Sequence, residues 1–318
     1  VMSGFSSRLI RWAPIICRSA HGVASSVVRV PFSSCCTSTP ALVFSPRQMP
    51  FAFRGTSDTA ASLLVLECKD GIATVTLKDD KKRNALSSSM MAELKGTLES
   101  LESDKEVKVA ILRHDGKVFS SGHDLKELHT RQSTLGTTDP VFSLCSELML
   151  TIKKVRFPVI AEVSGLATAG GCQLVAACDL AVAADGATFS TPGVKIGLFC
   201  TTPSVELGRV MPTKQAMEML LTGDLMSAEQ AVACGLINKA VSPEKLRDTT
   251  MDLAAKIAQA PSETVAIGKK AFYRHLAMPD ITAAYDFAKG VMVDNMAAPD
   301  AVEGIDAFIS KRKPQWTS

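Results

Sequence analysis

Acidic residues are absent from the first 57 positions of this 318-residue chain. The same segment contains six arginines and no lysine, and it is rich in serine. This composition is typical of a mitochondrial transit peptide. We therefore expect residues 1–57 to be a transit or disordered segment and residues 58–318 to form the mature protein, located in the mitochondrial matrix. A disordered cytosolic tail is the alternative. A secretory signal fits less well, because arginine interrupts the short apolar runs.

The chain also lacks a run of 18 uninterrupted apolar residues, so its sequence predicts no membrane span. Hydrophobic residues make up 46% of the chain and charged residues 21%, a composition that supports a large buried core. After residue 57 there are 29 basic and 32 acidic side chains. This mildly acidic balance, together with only two Trp and two Tyr, argues against nucleic acid as the main partner.

Motifs for metal binding and for several common catalytic mechanisms are missing. The six cysteines after residue 57 are scattered, without a C-x-x-C pair or a Cys/His ligand spacing. No G-x-S-x-G nucleophile turn occurs. The glycine-rich segment 165–171 lacks the Lys and Ser or Thr that follow the last glycine of a P-loop. We expect reduced thiols, no metal site and no resident cofactor.

The spacing of apolar residues predicts an α/β core up to about residue 200, followed by a helical region over about 203–318 in the same domain. Strands alternate with helices in the first part, which implies parallel crossover connections. Strands are predicted at 62–68, 71–78, 107–112, 158–163 and 180–184. Helices are predicted at 87–103, 139–155, 170–178, 213–221, 227–234, 243–260, 262–277 and 280–312.

Two glycine-containing turns each follow a predicted strand and precede a helix. They are residues 119–126 (FSSGHDLK) and 165–171 (GLATAGG). Backbone N–H groups at the start of a helix are free and lie at the positive end of its dipole. Such a turn can therefore bind an anionic oxygen, although tight packing against the sheet is an equally good explanation of its glycines. His123 is a candidate general base, but a single histidine in a turn is more often structural.

These turns belong to an ordered series of motifs that resembles the enoyl-CoA hydratase/isomerase (crotonase) superfamily over nearly all of residues 62–317. The resemblance implies a crotonase-like α/β spiral of ββα units with a helical C-terminal trimerisation region. It further implies homotrimers or hexamers, an acyl-CoA or enoyl-CoA ligand, and by analogy a role in fatty-acid metabolism. Further motifs of the series are residues 82–87 (KRNALS), 158–174, 220–223 (LLTG), 235–238 (GLIN) and 311–316 (KRKPQW).

The resemblance also implies an oxyanion hole, in which the backbone N–H groups of His123 and Gly170 bind the thioester oxygen. Preorganised donors of this kind stabilise the charge that develops on that oxygen, and losing one costs roughly 100- to 1,000-fold in rate. The CoA contacts of the family carry over to Arg83, Asn84, Ala85, Leu86, Ser121, His123 and Leu125.

Hydratases of this family use two glutamates, and this chain replaces both. Gln173 and Gly193 stand at their positions. Glutamine does not exchange a proton near neutral pH, and glycine has no side chain. The oxyanion hole is therefore expected to be intact, while hydratase activity is doubtful. Other groups that could transfer protons are His123, Asp124, Glu127, Cys172, Cys200 and Glu206.

Three functions remain open from the sequence. The chain could catalyse another thioester reaction, such as isomerisation, decarboxylation or hydrolysis. It could instead be a catalytically inactive acyl-CoA sensor or binding protein. A weak hydratase in which Gln173 holds a water is the least favoured, because general acid–base catalysis normally contributes roughly 100- to 10,000-fold.

Overall fold

The computed structural model describes residues 62–318, and the predicted transit segment 1–57 lies outside the described residues. The larger of two sheets has six strands in the order β1-β2-β3-β5-β7-β10. Its β1–β2 pair is antiparallel, and the other neighbours are parallel. The six strands are β1 Leu64–Lys69, β2 Ile72–Leu77, β3 Val109–His114, β5 Val159–Val163, β7 Leu180–Ala184 and β10 Lys239–Val241.

The smaller sheet has the order β4-β6-β8-β9 and is parallel except for its last pair. From β3 to β8, successive strands of the chain alternate between the sheets, so that β3, β5 and β7 of the larger sheet are each followed by a strand of the smaller one. A helix then follows each pair, which gives the predicted ββα repeat. The strands are β4 Val118–Ser120, β6 Leu166–Thr168, β8 Thr188–Ser190 and β9 Met226–Ser227.

The helices follow the predicted apolar spacing. In α1, for example, the buried residues recur at helical intervals, and the Ser87 side chain caps the helix by accepting from the Met90 N–H. The helices are α1 Ser88–Glu102, α2 Leu125–Leu135, α3 Asp139–Lys154, α4 Gly170–Ala177, α5 Thr201–Val210, α6 Thr213–Thr222, α7 Ala228–Ala233, α8 Pro243–Ala258, α9 Ser262–Leu276, α10 Ile281–Met296 and α11 Pro299–Ile309.

The main core fixes the position of α4. All eight residues of this helix are buried, and its apolar side chains from Cys172 onward belong to the same apolar cluster as Phe119, Phe157 and Phe189. A second apolar cluster joins β2, β3, β5 and β7 to Leu246 and Ala254 of α8. Because α4 is surrounded by core, its first turn is held rigidly, and this turn carries one half of the predicted site.

The prediction of helices alone after residue 203 is wrong in two places. Strand β9 joins the smaller sheet, and β10 pairs with β7 at the edge of the larger one, so the α/β core continues past residue 200. These strands have two and three residues, too few to show a period. The predicted helix 280–312 is two helices, which divide just before Pro299 because proline does not continue a preceding helix. Helix α5 was not predicted.

The C-terminal helices bury very little in this chain. Helix α9 has no buried residue, and α10 buries only Ala284. Within residues 62–318, no helix is both long and apolar enough to cross a lipid bilayer. The large apolar side chains that helices α9, α10 and α11 expose are Phe272, Leu276, Ile281, Tyr285, Met292, Val293, Met296, Val302, Ile305, Phe308 and Ile309.

Candidate functional site

Backbone hydrogen bonds join the turn before α2 to the segment before α1. The Leu86 N–H donates to the Gly122 carbonyl at 2.8 Å, and the Ser121 N–H donates to the Arg83 carbonyl at 3.0 Å. Leu86 and His123 also form an isolated parallel bridge. The two segments predicted to contact CoA therefore lie next to each other, although about 35 residues separate them in the sequence.

Asn84 is fully buried, and its side chain is engaged in holding this surface together. Its amide donates to the carbonyls of Asp115 at 3.0 Å and Val118 at 2.8 Å, and its Oδ1 accepts from the Asp79 N–H at 2.8 Å. A contact of Asn84 with CoA would therefore use the backbone. The neighbouring Arg83 is exposed, so its guanidinium is free to meet a phosphate.

The two glycine-containing turns are in direct contact. A Cβ on Gly122, whose φ is +80°, would lie 2.9 Å from both Ala169 Cβ and Gly170 N, so no side chain fits there. Among the described residues, the His123 N–H has no backbone acceptor. Gly170 is the first residue of α4, where N–H groups have no partner within the helix. The structure thus brings together the two turns that carry the predicted oxyanion-hole amides.

Ala169 sets the direction of the Gly170 amide, a role that the sequence analysis missed. Its φ of 51° and ψ of −119° are unusual for a residue with a side chain. The strained backbone is held by a 2.9 Å hydrogen bond from the Ala169 N–H to the Ser190 carbonyl and by a 3.1 Å bond from the Gln173 N–H to the Ala169 carbonyl. Strain of this kind collects at functional sites. No signal in the sequence marks it, because alanine gives no warning of a positive φ.

The His123 ring lies over the same turn. A Cβ on Gly170 would be 3.1 Å from His123 Nδ1, and the ring centroid is 5.1 Å from that of Phe142. Burial lowers the pKa of His123 to about 4, and only the Glu127 carboxylate opposes this effect. The ring is therefore a neutral imidazole at neutral pH. Its Nε2 is buried and has no hydrogen-bond partner among the described residues.

Gln173, at the first altered glutamate position, is buried with 3% of its surface exposed. It lies three residues after Gly170 and therefore on the same face of α4. Its Oε1 accepts a long contact of 4.0 Å from the Cys145 thiol of α3. Burial raises the pKa of Cys145 to about 12, so both partners are uncharged at neutral pH. Neither can replace a carboxylate as a proton acceptor.

Gly193, at the second altered position, has no room for a side chain. A Cβ there would lie 2.7 Å from the Leu198 carbonyl oxygen and 2.8 Å from Cys200 Sγ. The Cys200 thiol thus occupies the space in which the second glutamate side chain would begin. Burial raises the pKa of Cys200, so it stays protonated at neutral pH. The loop around Gly193 therefore has no room for the glutamate side chain of the family.

Two of the other candidate acids hold helices in place. Asp124 caps α2 by accepting from the N–H groups of Lys126 at 3.0 Å and Glu127 at 3.2 Å. Glu127 in turn caps α1, where its Oε2 accepts from the Ser88 N–H at 2.9 Å. Both carboxylates are therefore committed to backbone donors. Leu125, between them, is 55% exposed at the first position of α2, where a ligand can reach it.

Cys172 is enclosed in the core, and Glu206 is engaged in an ion pair. Cys172 is completely buried, and burial raises its pKa to about 12. Glu206 pairs with Lys153 at 2.9 Å beside a cavity of about 1320 Å³ between α3, α5 and α9. Neither His123 nor Gly170 lines that cavity. Within the described part of the chain, no group of three or more His, Cys, Asp or Glu could hold a metal ion.

Several relatives of this chain are mitochondrial proteins by name. Enoyl-CoA hydratase domain-containing protein 3, mitochondrial, from Mus musculus is 47% identical over 261 residues, which is 82% of this chain and 86% of that protein. Its Homo sapiens counterpart is 47% identical over 248 residues, covering 78% of this chain and 81% of that protein. These relatives confirm the predicted mitochondrial location.

Solved structures confirm the crotonase-like α/β fold. The human enoyl Coenzyme A hydratase domain-containing protein 3 has a TM-score of 0.77 at 46% identity, covering 80% of this chain and all (100%) of that one. An enoyl-CoA hydratase from Mycobacterium smegmatis gives 0.78 at 42% identity, covering 81% of this chain and 100% of that one. The sequence profile of the enoyl-CoA hydratase/isomerase family matches residues 67–318. With this match over most of its length, the chain belongs to the enoyl-CoA hydratase/isomerase family.

Proposed function

We propose that this protein binds acyl-CoA thioesters in mitochondrial lipid metabolism and polarises their carbonyl group. The observation that carries the proposal is the contact between the His123 and Gly170 turns, which presents two free amides together. Amides fixed in this way accept a carbonyl oxygen without reorganising and stabilise it further as it becomes an enolate. A purely structural protein would have no use for the strained backbone at Ala169.

The CoA part of the ligand has a surface beside this oxyanion hole. Arg83, Ser121 and Leu125 are at least partly exposed on the two joined segments. A guanidinium there suits a phosphate, and an exposed leucine suits the flat face of an adenine. Asn84 and Ala85, by contrast, are buried and would contribute backbone or shape only.

Hydration of enoyl-CoA is expected to be slow in this protein. Gln173 and Gly193 provide no carboxylate, and Cys200 fills the space beside Gly193. The uncharged lining favours a different reaction of the thioester or simple binding, with the protein acting as a sensor. Product analysis by mass spectrometry with enoyl-, malonyl- and hydroxyacyl-CoA separates these two functions, because only an enzyme changes the mass of the ligand.

Calorimetry with butyryl-CoA, crotonyl-CoA and free CoA tests the proposal. We expect the thioesters to bind more tightly than CoA, since only they place an oxygen between the two amides. The variant Gly170→Pro removes the amide hydrogen at the first position of α4. It should weaken thioester binding by about three- to tenfold, the value of one hydrogen bond.

Gly170→Ala is the matched control, because it adds the same Cβ near His123 but keeps the amide. If the alanine variant loses as much affinity as the proline variant, the effect is steric and the oxyanion hole is not involved. If the wild-type protein binds no thioester of any chain length, the proposed function is wrong.

We also propose a homotrimer or hexamer built through the C-terminal helices. Phe308, Ile309, Ile281 and Tyr285 are each more than 70% exposed, which is unusual for large apolar side chains grouped on neighbouring helices. Light scattering at micromolar concentration should give a multiple of three. The variant Tyr285→Asp should lower the mass, whereas a wild-type monomer would contradict the assembly.

A further inference from the structure

The His123 ring has a position that its backbone role does not require. Only the amide of residue 123 is needed for the oxyanion hole, so the side chain could point to solvent. Instead the ring packs against Phe142, and its Nδ1 and Cε1 atoms lie beside the Cα of Gly170. The ring therefore belongs to His123, which has one of the two proposed donor amides, and lies beside Gly170, which has the other.

This placement puts an imidazole next to the carbon atoms of any bound acyl group. The thioester oxygen between the two amides is bonded to the carbonyl carbon, whose neighbour is the acidic α-carbon. The ring belongs to one amide-bearing residue and lies beside the other, so a thioester oxygen held between the two amides would place these carbons near the ring. Gln173 and Gly193 supply no competing base there.

We propose that the His123 side chain is the base that removes and returns a proton at the α-carbon of a bound acyl-CoA, a role that rests on the proposed function. The α-C–H bond breaks, and its proton moves to Nδ1. The electron pair moves to the thioester oxygen, where the His123 and Gly170 amides stabilise the enolate. In the reverse step the imidazolium protonates the α-carbon. The step needs no oxidant, reductant or other reactant.

The basicity of the ring suits this role. With its pKa lowered to about 4 by burial, the neutral imidazole has about the basicity of an ordinary glutamate side chain, the group that hydratases of this family use. The ring is unprotonated throughout the physiological range, as a resting base must be. Phe142 and Gly170, which pack against the ring from other segments, carry no charge. Glu127 of α2 is the charged group that acts on it.

Deuterium exchange measures this step without knowledge of the physiological reaction. Butyryl-CoA is incubated with the full protein in D₂O, and the mass of the recovered thioester is followed with time. We expect the wild-type protein to introduce deuterium at the α-carbon. Its rate should be constant between about pH 5.5 and 7.5 and should fall as the pH approaches the ring pKa of about 4, because only the unprotonated ring accepts a proton.

The variant His123→Asn keeps the backbone amide but cannot exchange a proton. It should exchange at least about 100-fold more slowly than the wild type at saturating butyryl-CoA, where calorimetry on the same variant shows that the ligand is bound. His123→Gln is a second variant with the same expectation, in case the first does not fold. His129→Asn is the matched control, since His129 is exposed on α2, and its exchange should equal that of the wild type.

The possible results separate this inference from the proposed function. Wild-type protein that binds butyryl-CoA but introduces no deuterium would overturn the inference and leave thioester binding intact. Unchanged exchange in His123→Asn and His123→Gln would assign the proton to another group. Absence of binding by the wild type would remove the proposed function, and the base with it.

Discussion

The proposed oxyanion hole and the two predicted glutamate positions differ in whether backbone or side chains determine their chemistry. The proposed oxyanion hole consists of backbone amides, and its two turns lie so close together that no side chain fits at Gly122. Acid–base catalysis depends on side chains, and Gln173 and Gly193 stand where carboxylates are expected, with the protonated Cys200 thiol beside Gly193. The backbone turns are in the contact that an oxyanion hole requires, whereas neither predicted glutamate position has a carboxylate.

This difference shows which parts of a site can change independently. A backbone donor is coupled to the fold, because moving it disturbs the core around α4, which is buried at every position. A side chain in a pocket can be exchanged while the fold stays the same, provided that neighbours fill the space. Cys200 does so beside Gly193. Variants of the backbone turns and variants at positions 173 and 193 therefore test the two parts separately.

The largest effect is expected for Gly122→Ala. Its Cβ would meet the Gly170 nitrogen and Ala169 at 2.9 Å, and its φ is +80°. Alanine in left-handed backbone costs about 1–2 kcal/mol, and the contact with backbone adds to this. We expect a loss of about 4 kcal/mol or more in the free energy of unfolding, and no acyl-CoA binding by whatever folded protein remains.

Gly96→Ala is the control for this variant. Gly96 is exposed in α1, and a Cβ there would meet nothing within 4 Å. Removing a helical glycine should raise stability by about 0.5–1 kcal/mol. Denaturant unfolding of both variants provides the test. A Gly122→Ala protein with wild-type stability and binding would show that the two turns are not in contact.

Much of the fold could be predicted from the spacing of apolar residues, and the segments that could not be predicted share one cause. Helices α1 and α3 and strands β5 and β7 were predicted within two residues, because each buries one face or a continuous apolar run. Strands β4, β6, β8, β9 and β10 were missed, since segments of two or three residues show no period. Their place in the sheets is determined by neighbours distant in sequence, such as β7 for β10.

The site was predictable where it depends on residue type and unpredictable where it depends on packing. The two glycine-containing turns and the exchanged glutamates can be identified from the sequence, and the structure brings both turns together. The strain at Ala169, the placement of the His123 ring and the contact of Cys200 with Gly193 could not be predicted. Each arises from close approach between segments that are separate in the chain.

Gly193→Glu should have the second-largest effect, and it should not restore hydration. The new side chain would overlap the Leu198 carbonyl and the Cys200 thiol, and overpacking of this kind costs up to about 3 kcal/mol. Cys200→Gly in the same chain removes one of the two overlaps and should recover part of the stability in thermal unfolding. Full hydratase activity in Gly193→Glu alone would mean that the loop is freer than its contacts indicate.

Gln173→Glu should have a smaller effect that grows with pH. The position is 3% exposed and faces the Cys145 thiol, so burial should raise the pKa of the new carboxyl in the folded state. The folded protein then binds more protons than the unfolded chain, and stability falls as pH rises. We expect a cost of about 2 kcal/mol at pH 8 and much less at pH 5. Equal melting temperatures of this variant and the wild type at pH 8 would contradict the burial of the site.

The smallest effect concerns His123 itself and has the opposite sign. Its folded-state pKa of about 4 is below the unfolded value of 6.5, so the unfolded chain binds the extra proton as the pH falls through this window. The wild-type protein should therefore lose stability below about pH 6.5, by about 1 kcal/mol from this residue between pH 7 and pH 5.5.

His114, whose pKa burial also lowers, contributes in the same direction in every variant and cancels in the comparison. His123→Asn should lose about 1 kcal/mol less than the wild type over this range. Parallel losses in the wild type and His123→Asn would mean that the ring is solvated, and the base assigned to the oxyanion hole would then have an ordinary imidazole pKa.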